Sequence, residues 1–483
     1  MSFEFKRIIF SKSLEHGSWS FKYRLALMDC SYSMKWAAFV ALTRSCEAAR
    51  VYSMLIRFLI LSILLFLPLV AQTPSGQRSP QLAKASSRSV GMSSERLALI
   101  DKMAEEAIVN EEIPGLVALV SRRGKVVYHK AFGSANIESD RKMESNDIFR
   151  IASQTKAITS TALMMLWEEG RFKLDDPVSK YIPEFSNPKL LDTYNESDGS
   201  YTTIPAKNEI RIRHLLTHSS GLGYGLIDRN KGIKAIYREA GIVDAWTTDP
   251  ILLEHNIKTL AKLPLVFEPG ERYRYSLGLD VAGYLIEVLS GMPFDLFLKE
   301  RLFEPLGMDD TYFYLTDDKA HRLVTTYEGK NEQWSKHHGV EGYYDADFPV
   351  KGAKTYFSGG AGLSSTARDY ATFLQMYLNG GEIDGIRFLS RTTIDTIMAN
   401  QIDMGSDTSY HGLAFSVLDE SGVAKGGLGS EGTFNWGGYF NSQYFVDPEE
   451  QVIGIILKQT RDTINPDTTG WKFRQLVFQA IDD

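Results

Sequence analysis

Ser153 and Lys156 lie three residues apart in Phe149-Arg-Ile-Ala-Ser-Gln-Thr-Lys-Ala-Ile-Thr-Ser160, at the predicted start of a helix. Residues i and i+3 share a helix face, so the serine hydroxyl and the lysine amine come within hydrogen-bond reach. A serine at its ordinary pKa is a poor nucleophile and needs an adjacent base or a charge that favours the alkoxide. The chemistry open to this pair is attack on an acyl carbon. Taken alone, the pair reads equally well as a helix start with a solvated lysine. A second copy, Ser186-Asn-Pro-Lys189, reads as a loop, because proline resists a helix and pushes Asn187 toward extended backbone.

Such a pair needs a proton shuttle and donors for an oxyanion. Tyr275-Ser276-Leu277 precedes a helical run from Leu279 to Leu289 closed by Gly291. A phenol near pKa 10 becomes a usable base beside an ammonium. Equally, it is one of 23 tyrosines, and a tyrosine packed on its ring is the commoner case. A late segment carries Trp436-Gly437-Gly438-Tyr439 on a predicted strand. Glycines there let a substrate lie against the backbone, and the Tyr439 N–H could join that of Ser153 as an oxyanion hole. A tight bend with a packed tryptophan fits the same residues.

The elements that must position these groups follow from periodicity. Ala157 to Glu169 has a broad apolar helical face (Ile158, Leu163, Met164, Leu166, Trp167), with Gly170 as C-cap. Arg96 to Glu112 reads as a helix, and Gly115–Ser121 with Lys125–His129 as a hairpin around Arg123-Gly124. Residues 153–351 read as mainly helical. Strands return at Gly432–Trp436, Ser442–Val446 and Gln451–Leu457, before a helix from Gly470 to Ile481. A sheet built from both ends of the chain with a helical insert is an α/β (α+β layered) design.

The 483-residue chain has a net charge of −7, which offers no basic footprint for nucleic acid. Residues 1–53 run the other way, with eight Lys/Arg against four Asp/Glu. Met54-Leu-Ile-Arg57 and the apolar run Phe58 to Val70, ending at Ala71, fit a signal peptide better than a membrane span. Residues 1–53 are therefore read as upstream sequence, 54–71 as a signal peptide, 72–94 as a flexible linker and 95–483 as the folded domain. The expected location is exported, periplasmic or secreted from a bacterium. Both cysteines, Cys30 and Cys46, precede the expected cleavage point, which leaves no disulfide or thiolate metal site in the mature chain.

In order, S-x-x-K at Ser153, Y-S-x at Tyr275 and W-G-G at Trp436 resemble the serine β-lactamase and penicillin-binding-protein superfamily, and more narrowly its class C-like family VIII carboxylesterases. The resemblance covers about residues 95–480. Supporting stretches are His214-Leu-Leu-Thr-His-Ser-Ser-Gly-Leu222, Phe303-Glu-Pro-Leu-Gly-Met-Asp-Asp-Thr311 and Gly359-Gly-Ala-Gly-Leu-Ser-Ser-Thr-Ala-Arg-Asp369. It implies Ser153 as acylated nucleophile, Lys156 as its assistant and Tyr275 as general base and then acid. It further implies Ser153 and Tyr439 N–H groups on the oxyanion, and Trp436, Gly437 and Gly438 beside the substrate. The implied fold is an antiparallel sheet flanked by helices with an all-helical second domain. No metal or organic cofactor follows.

Two departures bear on substrate. Leu277 stands where β-lactamases and D-alanyl peptidases carry an amide-contacting Asn, and Trp436 replaces the lysine of their K-T-G strand. Both point to a small-molecule ester. The alternatives are a β-lactamase or D-amino-acid peptidase, or a non-catalytic envelope protein that binds cell-wall fragments. His214 and His218 are four apart, but no glutamate follows His214, so a zinc site is not inferred. No G-x-S-x-G occurs, against an α/β-hydrolase.

Overall fold

Gly115–Arg122 is a strand whose eight side chains are all buried, as its apolar run on both parities requires. Such a strand needs a covering layer on each face. It belongs to a ten-stranded sheet whose main strands are β1 (Ala83–Lys84), β2 (Gly115–Arg122), β3 (Lys125–Asn136), β4 (Ile402–Asp403), β5 (Ser409–His411), β6 (Ser416–Leu418), β7 (Phe434–Gly437), β8 (Gln443–Asp447) and β9 (Val452–Leu457). Their spatial order is β1-β3-β2-β9-β8-β7-β6-β5-β4, with Arg141–Lys142 added on β3. All pairs are antiparallel except β1 on β3. The two ends of the chain meet where β2 pairs β9, from Val117 opposite Leu457 to Arg122 opposite Val452.

The computed structural model describes residues 82–341 and 343–483. The expected leader and signal peptide, both cysteines and the first ten residues of the expected linker lie outside them. Within the described part, alternate residues of β2 and β9 point to opposite layers. Leu116, Ala118, Val120, Val452 and Ile456 pack against α1 (Leu99–Val109) and α5 (Thr469–Gln479). Val117, Leu119, Ile453, Ile455 and Leu457 join the larger core with α2 (Thr155–Glu168), α3 (Gly278–Ser290) and α4 (Ala367–Leu378).

The helix α2 carries the expected nucleophile segment and is the most enclosed, buried from Thr155 through Leu166. Burying each large apolar side chain contributes about 1.5–3 kcal/mol, and Leu163→Ala would cost about 2–5 kcal/mol. Gly170 (φ 72°) ends it and Gly291 (φ 73°) ends α3, both in the left-handed region where a side chain is disfavoured.

One expected boundary needs correction. The linker does not extend to Ser94: Leu82, Val90 and Met92 are buried, and β1 pairs β3. The polar average of that stretch hides three apolar anchors. The mainly helical insert also carries short strands. Lys189–Tyr194 with Tyr201–Pro205, and Tyr327–Lys330 with Gln333–Lys336, form two-stranded ribbons. In the first, Thr, Tyr and Ile flank the turn residues Asn195 to Ser200, a hairpin pattern. The Ser186 copy does lie in a loop, but Asn187 is left-handed (φ 53°) rather than extended. Among the described residues no single helix is long and apolar enough to cross a membrane.

Candidate active site

The turn that presents Ser153 begins where Phe149–Arg150 pairs antiparallel with Ser364–Ser365. One turn of 3-10 helix, Ala152–Gln154, then leads into α2. Ala152 is fully buried at φ 47°, a conformation that costs an L-residue about 1–2 kcal/mol. The surroundings hold it there: the Ile151 N–H donates to the Leu363 carbonyl, and Ala152 packs in a cluster with Phe440, Trp246 and Ala361. The bend sets Ser153 at the mouth of the helix, half-buried.

Lys156 follows on the first turn of α2 and is buried. Its ammonium donates to the Gly360 carbonyl at 2.6 Å, the Tyr224 hydroxyl at 3.3 Å and Ser153 Oγ at 3.4 Å. Three donors thus meet three neutral acceptors. Nζ also lies 4.5 Å from the centre of the Tyr275 ring, an attraction worth about 0.5–2 kcal/mol. The Tyr275 hydroxyl donates to Ser153 Oγ at 2.6 Å. Serine, lysine and tyrosine, 122 residues apart at the extremes, converge on one oxygen.

The Tyr275 ring is held from three sides: Tyr224 stacks at 5.5 Å, Trp436 at 6.0 Å, and His218 sits at 4.6 Å. His218, buried and left-handed (φ 54°), accepts the Ser276 N–H on Nδ1. Burial pushes its pKa well below the ordinary histidine range, which keeps the ring neutral and able to accept. His214 caps its own short helix, with Nδ1 accepting the Arg211 N–H. Both histidines serve the backbone. Among the described residues no group of three or more His, Cys, Asp or Glu is placed to hold a metal.

The strand β7 brings the fourth element. Trp436 faces Tyr275 on one side and stands edge-on to His411 at 5.3 Å. Gly438 follows, and a Cβ added there would lie 2.7 Å from the Ile151 carbonyl oxygen. Glycine is required because the nucleophile turn occupies that space, a different reason from the substrate approach inferred above. Gly437 has no such neighbour near Ser153; its closest is the Ser442 carbonyl. Gly438 therefore lies against the Ser153 turn, while the ring of the next residue, Tyr439, packs on Trp246 and Tyr344 under the Arg461 guanidinium, 4.3 Å away.

Sequence reasoning missed Tyr224, Gly360, His411 and the backbone role of His218. The Gly359–Gly362 run and the Leu222-Gly-Tyr-Gly225 run are glycine-dense, and that density marks close backbone approach.

The chain matches the family described as Beta-lactamase over residues 100–479. It belongs to the beta-lactamase family. Esterase EstB of Burkholderia gladioli is 33% identical over 377 residues, covering 75% of this chain and 90% of that protein. Acyltransferase calJ of Penicillium decumbens is 27% identical over 390 residues, covering 72% and 85%. Among solved structures, EstCE1, a hydrolase with promiscuous acyltransferase activity, superposes with a TM-score of 0.68 at 28% identity, covering 80% of this chain and 99% of that one.

This beta-lactamase-family chain is a hydrolase of the esterase-like serine type, built on a large sheet flanked by helices. Leu277, at the third place of its tyrosine motif, is fully buried in the main core and turns no polar group to the cleft. Trp436 is half-exposed and stacks beside Tyr275.

Proposed function

We propose that this protein is an exported carboxylesterase that works through an acyl-enzyme on Ser153. The observation that carries this reading is the short Tyr275–Ser153 hydrogen bond over the Lys156 ammonium. Acting as a phenolate beside the Lys156 ammonium, Tyr275 takes the Ser153 proton as Oγ attacks the ester carbonyl. The N–H groups of Ser153 and Tyr439 receive the oxyanion as it forms. The tyrosine then returns the proton to the departing alkoxide, and the C–O bond breaks to leave the acyl group on Ser153. Water, activated by the same tyrosine, releases the acid by the reverse sequence. The ester preference rests on Leu277 and Trp436, since a carboxylate left unpaired on binding costs about 1–3 kcal/mol or more. Export is supported by the Met54–Ala71 pattern.

A serine-reactive fluorophosphonate, with peptide mapping of the adduct, tests the nucleophile; an intact enzyme that takes no label on Ser153 removes the acyl-enzyme. Comparing kcat/KM for short p-nitrophenyl esters and for cephalosporins tests the substrate class. Faster turnover of a cephalosporin than of every ester would overturn the esterase reading.

A further inference from the structure

We propose that Asp280 is a positioning residue for Lys156: its carboxylate fixes the Gly360 segment that receives the ammonium and places a negative charge nearby. This rests on the catalytic reading of Ser153, Lys156 and Tyr275 above. Asp280 lies in the first turn of α3, five residues after Tyr275, with no exposed surface. Its Oδ1 accepts from Ser358 Oγ at 2.6 Å and from the Gly360 N–H at 3.3 Å. The carbonyl of the same Gly360 accepts from Lys156 at 2.6 Å. Gly360 is thus held through its N–H by the acid and holds the ammonium through its C=O.

Space and charge point the same way. A Cβ at Gly360 would lie 2.4 Å from Asp280 Oδ2, so only glycine lets the loop settle onto the acid. Oδ2 itself is buried with no hydrogen-bond partner. A buried, half-satisfied carboxylate is costly unless a nearby charge offsets it. The groups whose charge Asp280 feels most are Lys156 of α2 and Asp244, with Tyr224 and Tyr356 as neighbouring phenols. Around Lys156 stand Tyr224, Tyr275 and the neutral His218. In that set the opposite charges are Lys156 and Asp280, with Asp244 as a further acid. Burial pushes Asp280 up to about 6 while Ser358, Lys156 and the Gly360 N–H pull it down. It is therefore a carboxylate at neutral pH and above.

The test is Asp280→Asn in the full chain, reading the pH dependence of fluorophosphonate labelling of Ser153 and of p-nitrophenyl acetate kcat and KM. Without the carboxylate the Gly360 N–H loses its charged acceptor, so the carbonyl that receives the ammonium is held less firmly. At pH 8 kcat is expected to fall about tenfold, and the acid limb that Asp280 gives the wild type near pH 6 to disappear, with KM little changed. Labelling of the wild-type enzyme with an unmoved acid limb in the variant overturns the role of Asp280 alone. No Ser153 label on the wild type overturns the catalytic reading beneath it. Should Asp280→Asn not fold, Ser358→Ala decides: losing that donor raises Asp280, so the acid limb moves upward, and an unmoved acid limb refutes the proposal.

Discussion

The Tyr275 hydroxyl lies 2.6 Å from Ser153 Oγ, whereas the Lys156 ammonium reaches the same oxygen only at 3.4 Å. The short bond belongs to the phenol, and the lysine sits under its ring at 4.5 Å. In the proposed mechanism this division makes tyrosine the group that moves the proton and lysine its charged neighbour. Tyr275→Phe is expected to lower kcat by about 10²–10⁴, the usual size of a general acid–base contribution. Ser153→Ala should abolish turnover and keep the fold. Steady-state kinetics with circular dichroism on both variants checks this; near-normal kcat in the phenylalanine variant would return the base role to Lys156.

The parts legible in the sequence were those written in local pattern. The helix face from Ile158 to Trp167 and the glycine stops at 170 and 291 need only near neighbours. So does the run of β2. Lys156 bonds Tyr224 across 68 residues and Gly360 across 204, and no periodicity reports such contacts. Ala152 gives no sign of its left-handed backbone, since alanine has no preference for that region. Leu82, Val90 and Met92 are hidden by Lys84, Arg88 and the serines between them. Gly438 was visible as a glycine, but its reason lies in a turn nearly 290 positions earlier.

That reason makes Gly438→Ala a sharp test of the proposed oxyanion strand. The added methyl would press on the Ile151 carbonyl at 2.7 Å, and both sides of the contact are backbone that cannot rotate away. Overpacking costs about 1–3 kcal/mol. Strand relief would carry the Tyr439 N–H away from Ser153, and a lost oxyanion donor lowers kcat by about 10²–10³. Gly437→Ala, whose methyl meets the Ser442 carbonyl at 3.3 Å, should stay within about tenfold of wild type on the same scale. Equal losses in the two variants would argue against the Ile151 contact.

Burial raises Asp244, Asp280 and Asp369 each to about 6, from an ordinary 3.8. Between those values the native state holds more protons than the unfolded chain, so stability falls as pH rises through about 4–6. Each group's penalty grows by up to about 1.4 kcal/mol per pH unit in that window. At pH 8 the charged Asp280 is a cost that an asparagine does not carry. Asp280→Asn is expected to be more stable than wild type by about 1–3 kcal/mol at pH 8, and equal to it at pH 4, where the acid is already neutral. Urea unfolding at the two pH values measures the difference; a variant less stable at pH 8 would show that the Lys156 attraction outweighs desolvation.

In the proposed reading, Trp436 bears on substrate charge. Its indole stacks 6.0 Å from Tyr275 and stands edge-on to His411, an apolar wall that suits an ester and leaves a carboxylate unpaired. It is half-exposed, so a lysine placed there can run its stem along the same wall and keep its ammonium in the cleft. Trp436→Lys should lose ester activity, because Tyr275 loses a stacking partner. Turnover of a carboxylate-bearing cephalosporin should fall less or rise, since a hydrogen bond to a charged group contributes about 1.5–3 kcal/mol. The ratio of cephalosporin to ester kcat/KM is then expected to increase by about 10- to 150-fold. Both substrates share one nucleophile and one tyrosine, so that ratio isolates the wall from the chemistry. An unchanged ratio would place the carboxylate elsewhere in the cleft and remove Trp436 from the basis of ester preference.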